Sequence, residues 1–239
     1  AALRFATQGV AMVHNLICGA LTCVGGGTSW RYTPYHIPHR TEVMGFMTIL
    51  HGDDRFCNNI FVQKWPKEDI ITPHDSDDGF DTENRLAGTW EFDEYPTYEE
   101  WIAQFELDKP ANMGKVEPYH FGHLPVWSEG NVYLGGARAW KKEAHCLKLS
   151  EEEPVRVELK EEDGKIFLDT NIYELIKDFK GRMIHTGILG KAFEPEQPFE
   201  NPDGTSITFD TDYFGSHRGM DVVPGPFAGE KDACKALVR

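Results

Sequence analysis

Acidic side chains next to histidine and arginine are the residues of this sequence most suited to chemistry, and they lie close together in its first sixty residues. Hydrolysis of a glycoside needs two carboxyl groups that face a sugar across roughly 5 to 9 Å. Asp53 and Asp54 do not form that pair with each other, because adjacent strand residues point to opposite faces. Glu42 with one of the two is the better local candidate. The alternative, acids in a turn beside Arg55 without a catalytic role, is favoured over it.

Two histidines near Glu42 raise the question of a metal site. His36 and His39 are three residues apart, but the prolines around them exclude the helical geometry of an HExxH zinc site. Hydrogen bonding to a polar ligand or to the loop backbone is therefore favoured. The acidic segment 75–81 fails the spacing of a calcium loop, because its twelfth position is Leu86 instead of glutamate. We expect no metal and no cofactor.

Two similar segments indicate the element that positions these residues. Residues 13–19 and 57–63 are β-branched or aromatic runs in which Asn15 and Asn59, 44 residues apart, precede two apolar residues. This distance fits about two turns of a solenoid, or one turn with a long insertion. In a parallel β-helix, such an Asn can turn inward and hydrogen-bond to the turns above and below. Two unrelated strands that both end in Asn remain the alternative.

The remaining segments predict a second β-rich part. Residues 31–42 are too rich in proline and polar rings for a strand and are expected to leave the solenoid as a groove-forming loop, before a strand at 45–50. Thr97 and Glu100 form a capping box that starts a short helix. Residues 131–134, 155–159, 166–168 and 206–209 alternate around turns and predict antiparallel hairpins, interrupted by a short helix at 170–180.

The predicted fold class is therefore all-β. We expect a partial right-handed parallel β-helix over residues 1–123 and a β-sandwich-like element over residues 124–239, with one or two short helices.

Composition narrows the choice of partners. The 239 residues include 39 acids against 24 Lys and Arg, a formal charge of -15. Scattered cations among more numerous acids argue against nucleic acid and anionic membrane surfaces. The apolar segment 9–27 is interrupted by His14 and Asn15, so no membrane-spanning helix is expected. The five cysteines contain no C-x-x-C pair, which favours reduced thiols in a cytoplasmic protein.

Several segments together resemble the C-terminal part of the parallel β-helix β-xylosidases of glycoside hydrolase family 120. The resemblance spans essentially the whole chain, and its most specific part is the segment 33–43. The other matching segments are 7–11, 14–16, 52–56, 58–61, 213–215 and 224–227. Membership would imply retaining hydrolysis of terminal xylose from xylo-oligosaccharides, through an Asp nucleophile and a Glu acid/base.

The resemblance has one important departure. The family carries its catalytic Asp and Glu on two strands that precede the segments matched here, and neither strand occurs in this sequence. We therefore assign no catalytic residue, and expect the pair upstream of Ala1. On this interpretation the chain is a fragment or one part of a split enzyme, inactive alone, whose partner is the missing N-terminal β-helix portion. A homo-oligomer is the other expected assembly.

The residues expected to line or support the sugar groove combine charged side chains with one aromatic ring. They are His36, His39, Arg40, Glu42, Asp53, Asp54, Arg55 and Trp30, the last as a stacking surface. Two other functions remain open. One is a non-catalytic carbohydrate-binding or assembly module, and the other is a β-helix polysaccharide lyase using calcium and a cationic base. The shortage of clustered Lys and Arg counts against the lyase.

Overall fold

The computed structural model describes residues 2–23, 32–65, 86–105, 108–110, 122–229 and 235–238, and these are mostly β-structure. The strands are β1 Leu3–Phe5, β2 Ala11–Val13, β3 Leu16–Ile17, β4 Leu21–Cys23, β5 Tyr32–His36, β6 Val43–Thr48, β7 Asp54–Cys57, β8 Ile60–Val62, β9 Val126–Glu129, β10 Asn131–Leu134, β11 Cys146–Lys148, β12 Val157–Glu162, β13 Lys165–Thr170 and β14 Lys235–Leu237. The helices are α1 Tyr98–Ala103, α2 Ile172–Leu175 and α3 Thr186–Leu189, with a 3-10 turn at Trp90–Phe92.

Two parallel sheets form the centre of the molecule. One has the strand order β2-β7-β9 and the other the order β11-β10-β8-β3. In the first sheet, Ala11 pairs with Arg55, and Arg55 pairs with Trp127. In the second sheet, Leu16 pairs with Ile60, and Ile60 pairs with Val132. A third stack begins with β1 parallel to β4. Successive passes of the chain therefore lie on one another in register.

Side chains alternate between the inside and the outside of these sheets. Phe56 and Phe61 point inward into one buried aromatic cluster, where Phe61 stacks on Tyr133 with ring centroids 5.3 Å apart. Ile60 and its neighbours point outward and pack under β13 and α2 in a second buried cluster. Strands β7, β8 and β10 are thus buried on both faces, as parallel strands usually are.

An asparagine ladder fills the corner between the two sheets. Asn15 donates from its backbone N and its Nδ2 to Asn59 Oδ1, at 3.0 Å each. Asn59 is fully buried and donates in turn to Asn131 Oδ1, at 2.8 Å from its backbone N and 3.0 Å from Nδ2. The predicted hydrogen bonding between layers is confirmed. Because β2 pairs directly with β7, the 44-residue spacing is one layer with a long insertion.

Glu143 accepts the hydrogen bond at the Asn131 end of the asparagine ladder. Its Oε1 accepts from Asn131 Nδ2 at 2.9 Å, and its Oε2 accepts from Tyr133 Oη at 2.6 Å and Ser128 Oγ at 2.7 Å. Burial raises the pKa of the Glu143 carboxyl, although these donors oppose the shift. A buried polar corner with its partners in place favours a single register of the stack.

The prediction of antiparallel hairpins is wrong for residues 131–134 and right for the next pair of strands. β10 is parallel to β8 and β11, because its outward side chains pack in line with those of the preceding layer. β12 and β13 pair antiparallel across a turn at Asp163 and Gly164, both with positive φ. Residues 206–209 form only isolated bridges to Glu200 and His185. Strands from before and after residue 124 pair with each other, as β7 does with β9 and β8 with β10. The expected division of the chain into two parts at residue 124 remains a prediction.

A second correction concerns the loop expected at residues 31–42. Tyr32–His36 is strand β5, paired antiparallel with β6 in a two-stranded hairpin. Pro34 is tolerated because β5 lies at the edge of a sheet, where its missing N–H breaks no ladder. Phe46 of β6 is 68% exposed, so this strand is less buried than expected.

The capping box that was predicted for the first helix is confirmed. Thr97 Oγ1 accepts from Glu100 N at 3.2 Å, and Glu100 Oε2 accepts from Thr97 N at 2.8 Å. The helix predicted at 170–180 is shorter, at Ile172–Leu175. In the described ranges, no helix is long and apolar enough to cross a membrane.

Candidate functional site

The segment 53–55 turns its side chains in different directions as strand β7 begins. Asp53 has a φ of 56°, in the left-handed region, and the regular strand starts after it. Asp54 points inward, and its Oδ1 accepts from Val10 N at 3.0 Å. Arg55 points outward beside Trp127 of the next layer. The two carboxylates therefore do not face each other, as the sequence predicted.

Arg55 connects strand β7 to the segment 189–191 through hydrogen bonds. Its Nε donates to Leu189 O at 2.9 Å and one terminal nitrogen donates to Lys191 O at 2.9 Å, while the other pairs with the backbone and carboxylate oxygens of Asp53. The guanidinium carbon lies 4.2 Å from the Trp127 ring centroid and 4.8 Å from that of Phe199. These planar contacts suit arginine and not lysine.

The two aspartates are buried in different surroundings. Asp53 Oδ2 accepts from Phe193 N at 2.8 Å, and burial raises the pKa of this carboxyl even though Arg55 beside it acts in the opposite direction. Burial raises the pKa of Asp54 well above its ordinary value, with Asp53 as a further cause and the Val10 N–H opposing it. Asp54 Oδ2 is buried without a hydrogen-bond partner, which favours a protonated carboxyl there.

An aromatic cavity of about 660 Å³ lies against Arg55. Strand β9 contributes Trp127, and helix α1 contributes Tyr98 and Trp101, which are three residues apart and share a helix face. Phe193 completes the aromatic wall, 5.9 Å from Trp127 and 5.1 Å from Trp101 between ring centroids. We name this the Trp127 cavity, and its polar lining residues are Arg55, Lys191 and Glu196.

A smaller cavity of about 260 Å³ lies beside it, between the β5–β6 hairpin and residues 192–199. Asp53, Tyr35 and Met47 line it, and Ala192 lines both cavities. The two cavities are therefore neighbours that share one wall.

The tip of the β5–β6 hairpin holds four of the predicted site residues, all exposed. They are His36, His39, Arg40 and Glu42. A ring nitrogen of His36 lies 3.1 Å from Thr41 O, a local turn contact. His39 Nε2 lies 2.7 Å from Glu200 Oε1 and 3.3 Å from Gln197 Nε2. Gln197 also lines the smaller cavity, so the tip reaches the rim of that cavity.

The predicted site residues thus fall into separate groups. Arg55 borders the Trp127 cavity, Asp53 borders the smaller one, and Asp54 lies inside the stack of sheets. Trp30 lies outside the described residues. Sequence reasoning missed Trp127, although a tryptophan that alternates outward from a buried strand was a usable signal. The described part of the chain contains no group of three His, Cys, Asp or Glu placed to hold a metal.

Comparison with known proteins extends this geometry. The fold and site together define a mostly β protein of stacked parallel sheets with an aromatic cavity at its side. Its structure is similar to that of XylC, solved in complex with xylose, with a TM-score of 0.76 and 27% sequence identity. The similarity covers 94% of this chain and 32% of XylC, so the chain spans about a third of that protein's length. This likeness supports a β-helix-like fold for the chain.

Two further comparisons were negative. No protein-family model matches the chain. No curated protein matches it.

Proposed function

We propose that this chain is a right-handed parallel β-helix that supplies a xylose-binding site to a β-xylosidase-type glycoside hydrolase. The Trp127 cavity carries the proposal. Pyranose rings present C–H groups that pack on aromatic faces, and their hydroxyls need a few fixed donors and acceptors around that surface. Trp127, Trp101 and Tyr98 supply the faces, and Lys191 and Glu196 supply polar groups.

The likeness to a xylose complex supports the choice of sugar. It extends over nearly the whole chain, and the sequence independently resembles β-xylosidases of glycoside hydrolase family 120. We propose that Arg55 and Asp53 support the sugar site indirectly, by hydrogen-bonding the backbone of the residues 189–193 that line the Trp127 cavity. His36, His39, Arg40 and Glu42 would form its rim, where a longer xylo-oligosaccharide would extend along the hairpin.

The two carboxylates of the reaction are not assigned to the segment 53–55. Asp54 is 1% exposed and faces the interior of the sheets, while Asp53 is held by Arg55 and Phe193 N. A retaining mechanism needs two carboxyls that both reach the sugar, about 5 to 5.5 Å apart. We therefore propose that this chain binds and orients the sugar, and that the acid pair of the family belongs to strands outside this sequence.

Calorimetric titration of the whole chain with xylose and xylobiose tests the proposal. We expect saturable binding that weakens about tenfold in Trp127→Ala, because loss of one aromatic stacking surface costs about 1 kcal/mol or more. Tyr213→Ala is the matched control, since this exposed aromatic side chain lies away from the hairpin and outside the lining of both cavities. Equal affinities of the wild type and Trp127→Ala would contradict sugar binding in the Trp127 cavity.

An activity assay separates the two classes of function. We expect no hydrolysis of an aryl β-xyloside by the chain alone. Activity that is lost in Glu42→Gln or Asp54→Asn would place the catalytic acids within this sequence and contradict the proposed division of roles.

A carbohydrate-binding module without hydrolysis is the second candidate. The observation that favours it is the burial of Asp53 and Asp54, which leaves the Trp127 cavity with an aromatic wall and no assigned acid pair. This candidate predicts the same xylose affinity, but no gain of activity with any added polypeptide. A β-xylosidase part predicts activity once the strands with the acid pair are supplied.

A further inference from the structure

Glu196, which lines the Trp127 cavity, has an unusual backbone conformation. Its φ is 50°, in the left-handed region. The other non-glycine residues with positive φ in the described part of the chain are all His, Asp or Asn, the types that tolerate this region best. Glutamate is not favoured there, because its longer side chain cannot hydrogen-bond locally to the backbone as Asp and Asn can. This conformational cost at Glu196 therefore calls for a reason outside the local backbone.

The turn that contains Glu196 needs the backbone conformation of this residue and not its side chain. Ala192 N donates to Gln197 O at 2.9 Å, and Glu196 N donates to Phe193 O at 3.3 Å, so the chain reverses within residues 193–196. Tight turns that end on a residue with positive φ favour glycine or asparagine at that position. Glycine would thus form this turn with less strain than glutamate.

The Glu196 carboxylate is free to meet a ligand. Glu196 is exposed, and among the described residues its carboxylate has no hydrogen-bond or ion-pair partner. It is also the one acid among the described residues that line the Trp127 cavity. Arg55, by contrast, is committed to backbone oxygens and to Asp53. Phe193 of the same turn lies 5.9 Å from Trp127 between ring centroids, so the turn carries the carboxylate beside the aromatic wall.

A free carboxylate beside an aromatic wall suits a ring that has both an apolar face and hydroxyl groups. An ionised carboxylate only accepts hydrogen bonds, and its two oxygens can accept from two donors side by side. Hydroxyls on adjacent carbons of a pyranose ring present two such donors. An esterified hydroxyl has no hydrogen to donate, so a carboxylate at this position distinguishes a free sugar hydroxyl from an acylated one.

We propose that Glu196 determines the ligand specificity of the Trp127 cavity, because its carboxylate accepts hydrogen bonds from two neighbouring hydroxyls of a pyranose ring that packs on Trp127. This inference rests on the proposed sugar binding in that cavity. In a β-xyloside the anomeric oxygen belongs to the glycosidic bond, so the 3-hydroxyl is a member of every remaining pair of neighbouring hydroxyls. The site therefore takes pentopyranosides with a free 3-hydroxyl and rejects those that are esterified there.

Three ligands that differ only at this hydroxyl test the inference by calorimetric titration of the whole chain. They are methyl β-xyloside, its 3-deoxy analogue and its 3-O-acetyl ester. We expect saturable binding of methyl β-xyloside and about tenfold weaker binding of the 3-deoxy analogue, because a hydrogen bond to a charged acceptor is lost. The ester is expected to bind at least as weakly as the deoxy analogue, because it lacks the donor and adds bulk.

Glu196→Gly separates recognition from folding, because it removes the carboxylate and the backbone strain together. We expect a melting temperature at least equal to that of the wild type, about tenfold weaker binding of methyl β-xyloside, and no remaining difference between this ligand and the 3-deoxy analogue. Asp163→Gly is the matched control. Asp163 is also an exposed acid with positive φ, at 51°, but it lies outside the lining of the Trp127 cavity, so both affinities should stay unchanged.

The outcomes distinguish this inference from the proposed function. Equal affinity of the wild type for methyl β-xyloside and its 3-deoxy analogue would overturn the role of Glu196, as would a ligand preference that persists in Glu196→Gly. A loss of binding in Trp127→Ala would still support sugar binding in the cavity in those two cases. Absence of saturable binding of methyl β-xyloside by the wild type would overturn both the inference and the proposed function.

Discussion

The segment 53–55 and the tip of the β5–β6 hairpin carry similar charged side chains, but the fold treats them in opposite ways. Arg55 is 4% exposed and donates to backbone oxygens of three residues, whereas Arg40 at the tip is exposed. Asp53 is held by Arg55 and a backbone N–H, whereas Glu42 is exposed. The same residue types thus serve to fix the wall of a cavity in one place and remain available for a ligand in the other.

This difference follows from the cost of burial. A buried charge persists only where partners replace its lost water, so every contact of Arg55 is committed before a sugar arrives. An exposed charge gains little from any one partner and can exchange it for a sugar hydroxyl. Substitutions in the two regions should therefore differ mainly in their effect on stability.

Arg55→Met is expected to have the largest effect. It leaves the carbonyl oxygens of Leu189 and Lys191 buried without the Arg55 donor, and it leaves the Asp53 carboxylate with the Phe193 N–H but no cation, so we expect a loss of about 3 to 5 kcal/mol in the free energy of unfolding. Urea denaturation measures this loss. Arg40→Met is the matched control, with an expected change within about 0.5 kcal/mol. Similar losses in both variants would break the comparison.

Arg55→Lys sharpens the same point. Lysine keeps the positive charge but cannot reach the carbonyl oxygens of Leu189 and Lys191 and the Asp53 carboxylate together, nor stack flat on Trp127. We expect roughly half of the stability loss of Arg55→Met, measured by the same denaturation, together with weaker xylose binding. Full stability in Arg55→Lys would show that the charge alone matters.

Asp54→Asn tests the buried region through pH. The pKa of Asp54 is raised in the folded protein, so its contribution to stability is fully present below the ordinary pKa of 3.8 and is lost as the pH rises toward the folded-state value. Asparagine does not titrate, so the variant should lose less stability than the wild type as the pH rises from 4 to 7. Unfolding free energies of both proteins across that range measure the difference. Parallel curves for the two proteins would argue against a protonated Asp54.

His39→Gln should have the smallest effect. His39 and Glu200 form an exposed pair at 2.7 Å, and such pairs contribute about 0 to 1 kcal/mol. We expect thermal unfolding close to that of the wild type, and a modest loss of affinity that appears with xylobiose and not with xylose. Strong destabilisation would mean that the hairpin tip is as structural as Arg55.

The asparagine ladder and the capping box could be predicted from the sequence because both rest on local spacing. Asn15 and Asn59 stand in similar runs, and Thr97 and Glu100 are three residues apart. The third rung, Asn131, was missed because its strand was assigned to a hairpin. Parallel and antiparallel strands share the same alternation, and only pairing with a distant layer distinguishes them.

The candidate site was harder to predict than the ladder. The charged residues in the segment 36–55 were predicted as site residues from their chemical type. Which of them can contact a ligand depends on burial, and burial is set by the tertiary fold. The Trp127 cavity joins a strand, a helix and the loop around Phe193, which are far apart in sequence. No local pattern brings those three segments together.

A structure of the chain with bound xylose tests the central claim most directly. We predict one pyranose ring in the Trp127 cavity, with a face against Trp127 and hydroxyls near Lys191 or Glu196, and with the Arg55 contacts unchanged. A sugar bound only at the hairpin tip, with the Trp127 cavity empty, would contradict this prediction.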